Sequence, residues 1–412
     1  MGSSQRPLRI LQICNKPPYP LVDGGCIAMF ALTKGLLMNK QEMKILSAYS
    51  FKHPILPITY EKLEKAKIEA VFLDLKPHFL SMFFNLFRSH SYILQRFITS
   101  DFSSALQKIL CDQTFDIVQI ESLFMAPYIP LIRKYSRAKI CVRAHNVEHS
   151  IWEKLLQREK LPWKRKYYSI LAKRLRQEEI FWLNQADAVL TITEKDTLSF
   201  STLGVNKPLH YVPFGVFDTL MPTEVLPEFP SLFYLGAMNW LPNEEGIRWF
   251  LKEVWPSIHV LFPEMKFYIA GRQIPHWLTN ADFPQVIVMG EVEDAKMFMA
   301  SKSIMVVPLF SGSGVRIKII EGMVAGKLVI TTPLGAQGID CRDGVHIRLA
   351  NTAQEFVEAI RLAVNSEDKT KEMGQMARKL ILQMHDNEKI VKDLVKYYRC
   401  IAGFSNGNEG SI

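Results

Sequence analysis

The sequence predicts an α/β protein with two Rossmann-like, doubly wound domains that face a cleft. A chain of 412 residues has room for two to three domains of about 150 residues. Strand-like apolar runs alternate with segments of helical period, and this alternation restarts after a proline-rich stretch. Strands separated by helices pair in parallel under helices on both faces, and ligands bind beyond their carboxyl ends. A ligand site between the two domains is therefore expected.

Short apolar runs predict the strands of the first domain, which we place at residues 1–215. Segments with a period of about 3.6 residues lie between these runs and predict helices, among them 27–38, 103–111 and 163–184. The predicted strands cover residues 8–14, 43–48, 70–73, 116–120, 139–144, 188–192 and 210–212.

The second domain is predicted at residues 231–385, after a linker at 216–230 whose prolines suit neither a central strand nor a helix interior. A last helix at 386–402 is expected to return to the first domain. The Gly/Ser/Asn-rich tail at 403–412 is expected to be disordered. The strands predicted for the second domain cover residues 231–235, 266–270, 286–288, 304–307 and 328–331.

The composition is that of a folded protein, since 48% of the residues are hydrophobic and 22% are charged. Disordered, collagen-like and coiled-coil chains are excluded on this basis.

A membrane-spanning helix needs about 20 consecutive apolar residues. The densest apolar run, 79–87, is too short, and the first residues lack a signal-peptide pattern, so we expect no bilayer crossing. The six cysteines form no close pair, which favours free buried thiols in a reducing cytoplasm.

Positive charge is concentrated in one part of the chain. The net charge is +9, and residues 133–176 hold 14 Lys or Arg against 3 Asp or Glu. Such a segment attracts phosphate-bearing substrates, anionic lipids or nucleic acid, unless it is only a solvated helix face. Two apolar-basic stretches, at 79–87 and 152–168, fit peripheral contact with an anionic membrane surface as well as they fit a core helix with a solvated face.

The most informative motif is a glycine loop that opens a helix. A strand predicted to end at residue 307 is followed by Gly312-Ser313-Gly314 and then by a helical period. Free backbone N–H groups at a helix N-terminus bind anions, and glycines let a ligand approach closely. Arg316, in the predicted first turn, can fork onto phosphate oxygens, Lys318 adds a point charge, and Glu321 suits a pair of sugar hydroxyls. A phosphate-bearing ligand explains this combination better than a helix whose first turn is merely basic.

This segment, residues 308–330, resembles the nucleotide-binding core of the GT4 family of retaining glycosyltransferases, whose GT-B fold has two Rossmann-like domains. Further motifs that look similar occur in the same order over nearly the whole chain, most specifically between residues 231 and 344. In chain order they are DGG (23–25), RAHNVEH (143–149), ADAV (186–189), VPFGV (212–216), GAMNWLPN (236–243), IAGR (269–272), MGEV (289–292) and GAQGI (335–339).

The resemblance implies roles for residues that bind the sugar donor. Glu321 matches the second glutamate of the family's E-x7-E pair and would bind the ribose of the donor nucleotide. Ser313 stands where the family has the first glutamate, which contacts the transferred sugar, so this sequence departs from the pattern there. The usual Arg and Lys pair after the first strand of the second domain is also missing. Arg316, Lys318 and Arg272 are therefore expected to bind the diphosphate. The other expected donor-binding residues of this domain are Asn239, Gly312, Ser313 and Gly314.

The resemblance also implies roles in the first domain. A histidine at the place of His145 faces the donor sugar in the family, and Asn146 and Glu148 would line the acceptor side. Gly24 and Gly25 open a helix and would contact donor phosphate or acceptor. Proline-glycine loops of this kind are commonly only turns, which is the alternative interpretation.

No metal and no cofactor are expected. His145 and His149 have a spacing that suits zinc, but the zinc-protease helix needs Glu directly after its first His, where this chain has Asn146. Packing of His149 against Trp152 is the preferred interpretation. Metal-dependent sugar transferases typically use an Asp-x-Asp pair, which the sequence lacks. The charge of a departing nucleoside diphosphate can be stabilised instead by a helix N-terminus with two basic side chains.

The sequence thus predicts a retaining, metal-independent glycosyltransferase in the cytoplasm, peripheral on the membrane if the basic stretches contact it. The donor would be a nucleotide sugar such as a UDP- or GDP-sugar, and the acceptor a hydroxyl of a surface glycan or lipid-linked saccharide. A nucleotide-sugar epimerase of the same fold is the enzymatic alternative. A non-catalytic protein that binds polyanions or a membrane surface is the other alternative, although no nucleic-acid-binding motif is present.

Overall fold

The computed structural model describes residues 6–76, 90–217, 225–280, 282–312 and 314–404. The chain forms two compact units, one of Met1–Gly215 with Asn387–Ile412 and the other of Val216–Asp386. Each unit is a parallel-sheet α/β domain with helices, which confirms the predicted fold class. The apolar run at 79–87, part of the expected linker and most of the expected tail lie outside the described residues.

The first unit is built on a sheet of parallel strands, seven of them within the described residues, in the order β3-β2-β1-β4-β5-β6-β7. Each predicted strand of this domain overlaps an observed one, and Lys139–Ala144 has the predicted bounds. The strands are β1 Arg9–Cys14, β2 Glu42–Tyr49, β3 Ile68–Phe72, β4 Ile117–Glu121, β5 Lys139–Ala144, β6 Ala188–Thr191 and β7 Leu209–Tyr211.

Both faces of this sheet are covered, which explains why its strands read as apolar runs. Successive residues of a strand point to opposite faces. In β1, Leu11 and Ile13 pack into one hydrophobic core, whereas Ile10 and Cys14 pack into the other. The helices that cover the two faces are α1 Gly24–Met38, α2 Pro57–Lys62, α3 Tyr92–Gln95, α4 Ser100–Asp112, α5 Ile129–Tyr135, α6 Glu148–Arg158, α7 Pro162–Leu183 and α8 Glu194–Thr202, with 3-10 turns at Glu64–Ala66 and Leu123–Tyr128.

The second unit has a sheet of six described parallel strands in the order β10-β9-β8-β11-β12-β13. Four of its five predicted strands have the predicted bounds. The strands are β8 Ser231–Leu235, β9 Lys266–Ala270, β10 Val286–Gly290, β11 Ile304–Val307, β12 Leu328–Thr331 and β13 Arg348–Leu349. Sequence reasoning missed the last of these, because two half-buried residues give no periodic signal.

Helices cover the second sheet as well. One of them packs closely, since a Cβ on Gly322 would stand 2.4 Å from Sδ of Met305 in β11. Among the described helices of both units, none has the length and apolar character needed to cross a membrane. The helices of this unit are α9 Leu241–Trp249, α10 Trp255–Leu261, α11 His276–Thr279, α12 Ala295–Ala300, α13 Ile317–Val324, α14 Ala353–Val364 and α15 Glu367–Met384, with a π-helical turn at Phe250–Val254.

The last helix, α16 Asn387–Ile401, belongs to the first unit and packs against α1. Asn387 donates from Nδ2 to the carbonyl oxygen of Ala31 (3.1 Å). A Cβ on Gly35 would stand only 2.5 Å from side-chain atoms of Asn387 and Val391, so glycine permits this close approach. Tyr398 of the same helix is fully buried in the core of the first unit.

The cysteines follow the prediction only in part. All six are free thiols, and Cys14, Cys26 and Cys141 are buried as expected. The expectation is wrong for Cys111 and Cys400, which are exposed on helix surfaces. A cysteine on an amphipathic helix can occupy the solvent face, which spacing along the sequence does not reveal.

Candidate functional site

A glycine loop and a helix start form the candidate donor site of the second unit. The chain leaves β11 at Val307 and turns through Gly312 (φ +117°) and Gly314 (φ +78°) before α13 begins at Ile317. Both φ values lie in the left-handed region, which residues with a Cβ rarely adopt. The loop therefore requires glycine at these two positions. Ser313, between them, lies outside the described residues.

This helix start lies at the topological switch point of the second sheet, where β8 and β11 are neighbours. The loops that follow these two strands meet, since the Trp240 ring lies 3.0 Å from where a Cβ on Gly312 would stand. Ligands of doubly wound sheets bind at this point. In the sequence Trp240 is only one residue of the motif at 236–243, and its contact with the glycine loop appears in the folded chain.

Arg316 is the N-cap residue of α13, whereas the sequence placed it in the first turn. Its side chain is buried, and Nη1 donates to the carbonyl oxygen of Gly314 (2.5 Å). The guanidinium lies 5.7 Å from the centroid of the Trp240 ring. Burial lowers the pKa of Arg316, although a guanidinium stays charged in proteins. A positive charge is thus fixed at the end of the helix that favours anions.

Lys318 adds a second cation in the first turn of α13, and two side chains position it. Its Nζ donates to the hydroxyl of Tyr234 (2.9 Å) and to Oδ1 of Asn243 (2.6 Å). Asn243 is oriented in turn, because its Nδ2 donates to the carbonyl oxygen of Ala237 (2.6 Å). Burial and the charge of Arg316 lower the pKa of Lys318 to about 7. Sequence reasoning did not identify Tyr234 or Asn243 as residues that hold this lysine.

Glu321 lies on the same side of α13 as Lys318, three residues further along. Its carboxylate makes no hydrogen bond to any of the described residues. Burial raises the pKa of Glu321 to about 7, and the charges of Lys318 and Lys296 offset only part of this effect. A half-buried carboxyl group without a hydrogen-bond donor suits a ligand that brings donors of its own.

The remaining predicted donor residues lie in the loops after β8 and β9. Asn239 is exposed in the turn before α9, and Arg272 is half-buried after β9. The two loops are joined, because the N–H of Met238 donates to the carbonyl oxygen of Arg272 (2.9 Å). Gly271 (φ +152°) lies so close to Gly236 that a Cβ would stand 1.9 Å from the Gly236 carbonyl oxygen. Both loops therefore end at the same edge of the sheet as the glycine loop.

His145 follows β5 in the first unit, at the carboxyl end of the sheet. Its side chain is 11% exposed, and Nε2 lies 2.6 Å from Oε2 of Glu121, the last residue of β4. Burial lowers the pKa of His145, and the Glu121 carboxylate offsets this only in part. This shift favours the neutral imidazole, and the contact with Glu121 fixes the orientation of the ring. Sequence reasoning missed Glu121, although an acidic residue within a buried apolar strand is itself an unusual sign.

Asn146 and Glu148 lie together just after His145. Glu148 begins α6 and is buried, and Nδ2 of Asn146 donates to its Oε1 (3.5 Å). Burial and the negative charge of Glu179 raise the pKa of Glu148 to about 7. A carboxyl group with such a pKa can give or accept a proton at neutral pH.

His149 has a structural partner that the sequence did not indicate. Glu179 of α7 accepts from the backbone N–H of Glu148 (2.8 Å) and lies 2.5 Å from Nδ1 of His149. The structure thus gives His149 a structural role through this carboxylate. Within the part of the chain that the structure describes, no cluster of three or more His, Cys, Asp and Glu side chains is placed to hold a metal ion.

Gly24 and Gly25 begin α1, as the sequence predicts. The N-cap residue Asp23 accepts from a backbone N–H of the first turn (3.0 Å), from Nζ of Lys16 (2.6 Å) and lies 3.1 Å from Nε2 of His53. Burial opposes ionisation, but the hydrogen bond to His53 and the charge of Lys16 hold the pKa of Asp23 far below its usual range. This helix start thus carries its own carboxylate, unlike the start of α13, where Arg316 and Lys318 are the charged side chains.

Part of the chain matches a known protein family. Residues 229–366 match the model of the family described as Glycosyl transferases group 1. The match includes the glycine loop and α13. A curated relative from Klebsiella pneumoniae, described as an uncharacterized 44.6 kDa protein in the cps region, is 21% identical over 406 residues. That alignment covers 94% of this chain and 99% of the relative.

Solved structures share the fold over nearly the whole chain. Sucrose-phosphate synthase from Thermosynechococcus elongatus has a TM-score of 0.69 at 12% identity, covering 96% of this chain and 100% of its own. HepE from Anabaena, solved with UDP and glucose, has a TM-score of 0.64 at 12% identity, covering 95% and 100%. TarM from S. aureus has a TM-score of 0.66 at 11% identity, covering 95% and 98%.

Identities this low establish the fold alone, which is the GT-B fold of these glycosyltransferase structures. The activity rests on the family match over residues 229–366, which contain the candidate donor site. The chain is therefore a glycosyltransferase with the GT-B fold.

Proposed function

We propose that this GT-B glycosyltransferase moves a hexose from a nucleoside-diphosphate sugar to a hydroxyl acceptor. We further propose that it is of the GT4 kind, retains the anomeric configuration and needs no metal ion. The observation that carries the proposal is the start of α13. A loop that requires Gly312 and Gly314 leads there into a helix whose N-cap and first turn hold Arg316 and Lys318.

Charge development at the diphosphate supports a role for these two cations. When the bond between the anomeric carbon and phosphate oxygen breaks, its electron pair leaves with the diphosphate. Fixed positive groups and helix-start N–H donors stabilise that charge, and one such donor is typically worth about 100- to 1,000-fold in kcat. Arg316 and Lys318 are already fixed by the protein, so little reorganisation is needed. This arrangement can replace a metal ion.

The ribose of the nucleotide is assigned to Glu321. Its carboxyl group is half-buried and makes no hydrogen bond within the described residues, and burial raises its pKa to about 7. Two ribose hydroxyls would supply the missing donors. Arg272 and Asn239, in the neighbouring loops, complete the donor site in this proposal.

The first unit is assigned to the sugar and the acceptor. The neutral, fixed imidazole of His145 would accept a hydrogen bond from a hydroxyl of the donor sugar. Asn146 and Glu148 would contact the acceptor, and the raised pKa of Glu148 suits proton exchange with its hydroxyl. Gly24 and Gly25 are assigned to donor phosphate or acceptor. Because Asp23 already carries a negative charge at this helix start, an acceptor hydroxyl is the better ligand.

Related solved structures suggest the class of donor. HepE is described in complex with UDP-glucose, and a TarM variant in complex with UDP and α-GlcNAc-glycerol. We therefore propose a UDP-sugar as donor, with a GDP-sugar as the next choice. The K. pneumoniae relative is described as lying in a cps region, which supports a surface glycan or lipid-linked saccharide as acceptor.

We also propose that the protein works in the cytoplasm, peripherally on an anionic membrane. Support comes from the packed pair of helices α6 and α7. Three apolar side chains at its tip, Leu155, Leu161 and Trp163, are 43%, 45% and 68% exposed. The exposed cations Lys160 and Arg165 lie beside them in sequence. Apolar side chains flanked by cations suit the interface of an anionic bilayer.

Sedimentation with vesicles tests the membrane proposal. The protein should sediment with vesicles rich in phosphatidylglycerol and stay in solution with phosphatidylcholine alone. Trp163→Ser should weaken the binding. Phe181→Ser, which removes an exposed aromatic ring from α7 outside the tip, is the matched control. Equal binding to both vesicle types, or equal loss in both variants, would contradict the proposal.

Incubation with nucleotide sugars tests the main proposal. Thermal shift over a panel of UDP- and GDP-sugars identifies the donor, since a ligand that binds only the folded protein raises its apparent stability. Donor and acceptor together should release nucleotide and give a glycoside with the anomeric configuration of the donor, with or without EDTA. An inverted product would refute retention, and loss of activity in EDTA that added metal restores would refute metal independence.

Incubation with donor alone separates transfer from epimerisation. A glycosyltransferase releases little nucleotide under these conditions. Accumulation of an isomerised nucleotide sugar would identify an epimerase instead. Nucleotide binding that falls steeply with salt, without any turnover, would identify a polyanion-binding protein.

A further inference from the structure

Glu121 is a fully buried carboxylate that the proposed chemistry does not use. It is the last residue of β4, and none of its surface is exposed. Burying an ionised carboxylate is costly unless every oxygen finds donors or a cation. Because burial of this carboxylate is costly for folding, we look for a functional role in its contact with His145.

The contacts of Glu121 come from three strands. Nε2 of Gln12 in β1 donates to Oε1 (2.8 Å), and Nε2 of Gln119 in β4 donates to the same oxygen. Nη1 of Arg143 in β5 lies 3.6 Å from Oε2, and Nε2 of His145 lies 2.6 Å from it. Both carboxylate oxygens are thus occupied, and His145 makes the short contact with Oε2.

A second layer fixes the two amides that face Glu121. The hydroxyl of Thr33 lies 2.7 Å from Oε1 of Gln12, and the hydroxyl of Tyr398 lies 2.5 Å from Oε1 of Gln119. Thr33, Gln119 and Tyr398 are fully buried. Each amide therefore turns its NH2 group to the carboxylate and its oxygen to a hydroxyl. Two amide NH2 groups therefore face Glu121, which accepts from both.

The charge state of Glu121 agrees with this geometry. Burial alone would raise its pKa, but the charge of Arg143 and the hydrogen bond to His145 lower the pKa to about 2. An ionised carboxylate can only accept. Nε2 of His145 must then carry the hydrogen, and in the neutral ring Nδ1 is left as an acceptor.

We propose that Glu121 is a positioning residue that holds His145 as the Nε2–H tautomer, so that Nδ1 is the atom that accepts from the substrate. This inference deepens the proposed function and rests on His145 facing the donor sugar. It adds which ring nitrogen acts and which residue selects it. Glu121 itself touches no substrate in this assignment.

The tautomer can be measured in the free protein by NMR after labelling histidine with ¹⁵N. The His145 signals are assigned by their loss in His145→Ala. At neutral pH, long-range ¹H–¹⁵N correlations of His145 should have the pattern of an Nε2–H ring. An Nδ1–H pattern would overturn the proposal. Because the measurement involves no turnover, its outcome does not depend on whether the proposed function is correct.

Variants of Glu121 test the cause. Glu121→Leu removes the acceptor and should shift His145 toward the Nδ1–H tautomer, with kcat lower by about 10- to 100-fold and donor KM within about threefold. Glu121→Gln keeps the shape and offers an amide oxygen, so it should retain part of the activity. Glu179→Gln is the matched control, because it removes the buried carboxylate that pairs with His149 and should change the His149 signals alone.

A pH titration of the same spectra distinguishes positioning from packing. The charged groups that act on His145 are Glu121, which raises its pKa, and Arg143 and Lys16, which lower it. Glu121→Gln should therefore lower the pKa of His145 further. An unchanged tautomer, unchanged titration and unchanged kcat in folded Glu121 variants would overturn the proposal. If Glu121→Leu fails to fold, the Gln variant and the wild-type spectrum still decide it.

Discussion

Donor binding should weaken as the pH rises through 7, because Lys318 loses its proton there. In the free protein, burial and the charge of Arg316 lower the pKa of Lys318 to about 7. A bound diphosphate stabilises the ammonium form. The donor-binding form is therefore fully populated well below this pKa and is lost as the pH rises above it.

The expected size follows from that pKa. The charged fraction of Lys318 falls from about nine-tenths at pH 6 to about one-tenth at pH 8. If only the ammonium form binds, the Kd of a nucleotide sugar rises about tenfold over this interval, or about 1.4 kcal/mol. The diphosphate of a nucleotide sugar is a diester with no proton to lose in this range. Glu321 also titrates near pH 7, so the measurement is repeated in Glu321→Gln.

Calorimetry at pH 6, 7 and 8, in buffers of different ionisation enthalpy, gives both the Kd and the protons taken up. Lys318→Arg is the matched control, because a guanidinium keeps its charge over the whole range and should abolish the slope that Lys318 causes. Lys318→Met should bind donor weakly at every pH. A donor Kd that stays flat from pH 6 to 8 in Glu321→Gln, where Lys318 is intact, would refute the reasoning. A Lys318→Arg variant whose Kd changes with pH as much as that of the wild type would also refute it.

Four further substitutions test the site. Arg316→Ala should lower kcat/KM about 10- to 150-fold, because charge-assisted hydrogen bonds are worth about 1.5–3 kcal/mol; initial rates over donor concentration measure this. Glu321→Gln should raise donor KM and leave kcat nearly unchanged, since ribose contacts act equally in ground and transition states. His145→Ala should lower kcat at least about 100-fold while the donor Kd from calorimetry stays within threefold. Gly312→Ala should destabilise the fold by about 1–3 kcal/mol in denaturant titrations, because a Cβ there meets the strained φ of +117° and the Trp240 ring.

The strands were predictable because parallel strands buried on both faces are continuous apolar runs. Ser231–Leu235, Ile304–Val307 and Leu328–Thr331 have the bounds that the sequence predicts, and each is buried along nearly its whole length. Arg348–Leu349 could not be predicted, because its two half-buried residues pair only with β12 at the sheet edge. This strand exists because it pairs with β12, and its own sequence has no pattern that predicts a strand.

The candidate site was predictable only where its chemistry lies in one stretch of sequence. The glycine loop, Arg316 and Lys318 are close neighbours along the chain, so spacing alone brings them to one helix start. Tyr234 and Asn243, which hold Lys318, are 84 and 75 residues away in sequence. A tyrosine in an apolar strand also looks like an ordinary core residue. The partners that position the lysine side chain become visible only in the folded chain.

The charges of α13 explain why two groups of this site titrate near neutral pH. Lys318 and Glu321 lie on one side of the helix, and burial moves their two pKa values toward each other, to about 7. The pair can therefore exist as an ion pair or as two neutral groups at little difference in free energy. A diphosphate selects the ammonium form of Lys318, and two ribose hydroxyls that donate to Glu321 select its carboxylate form, so donor binding favours the ion pair. Lys318 therefore gains a proton and Glu321 loses one. Proton uptake in the wild type should consequently be smaller than in Glu321→Gln, and the difference between them measures the share of the carboxyl group.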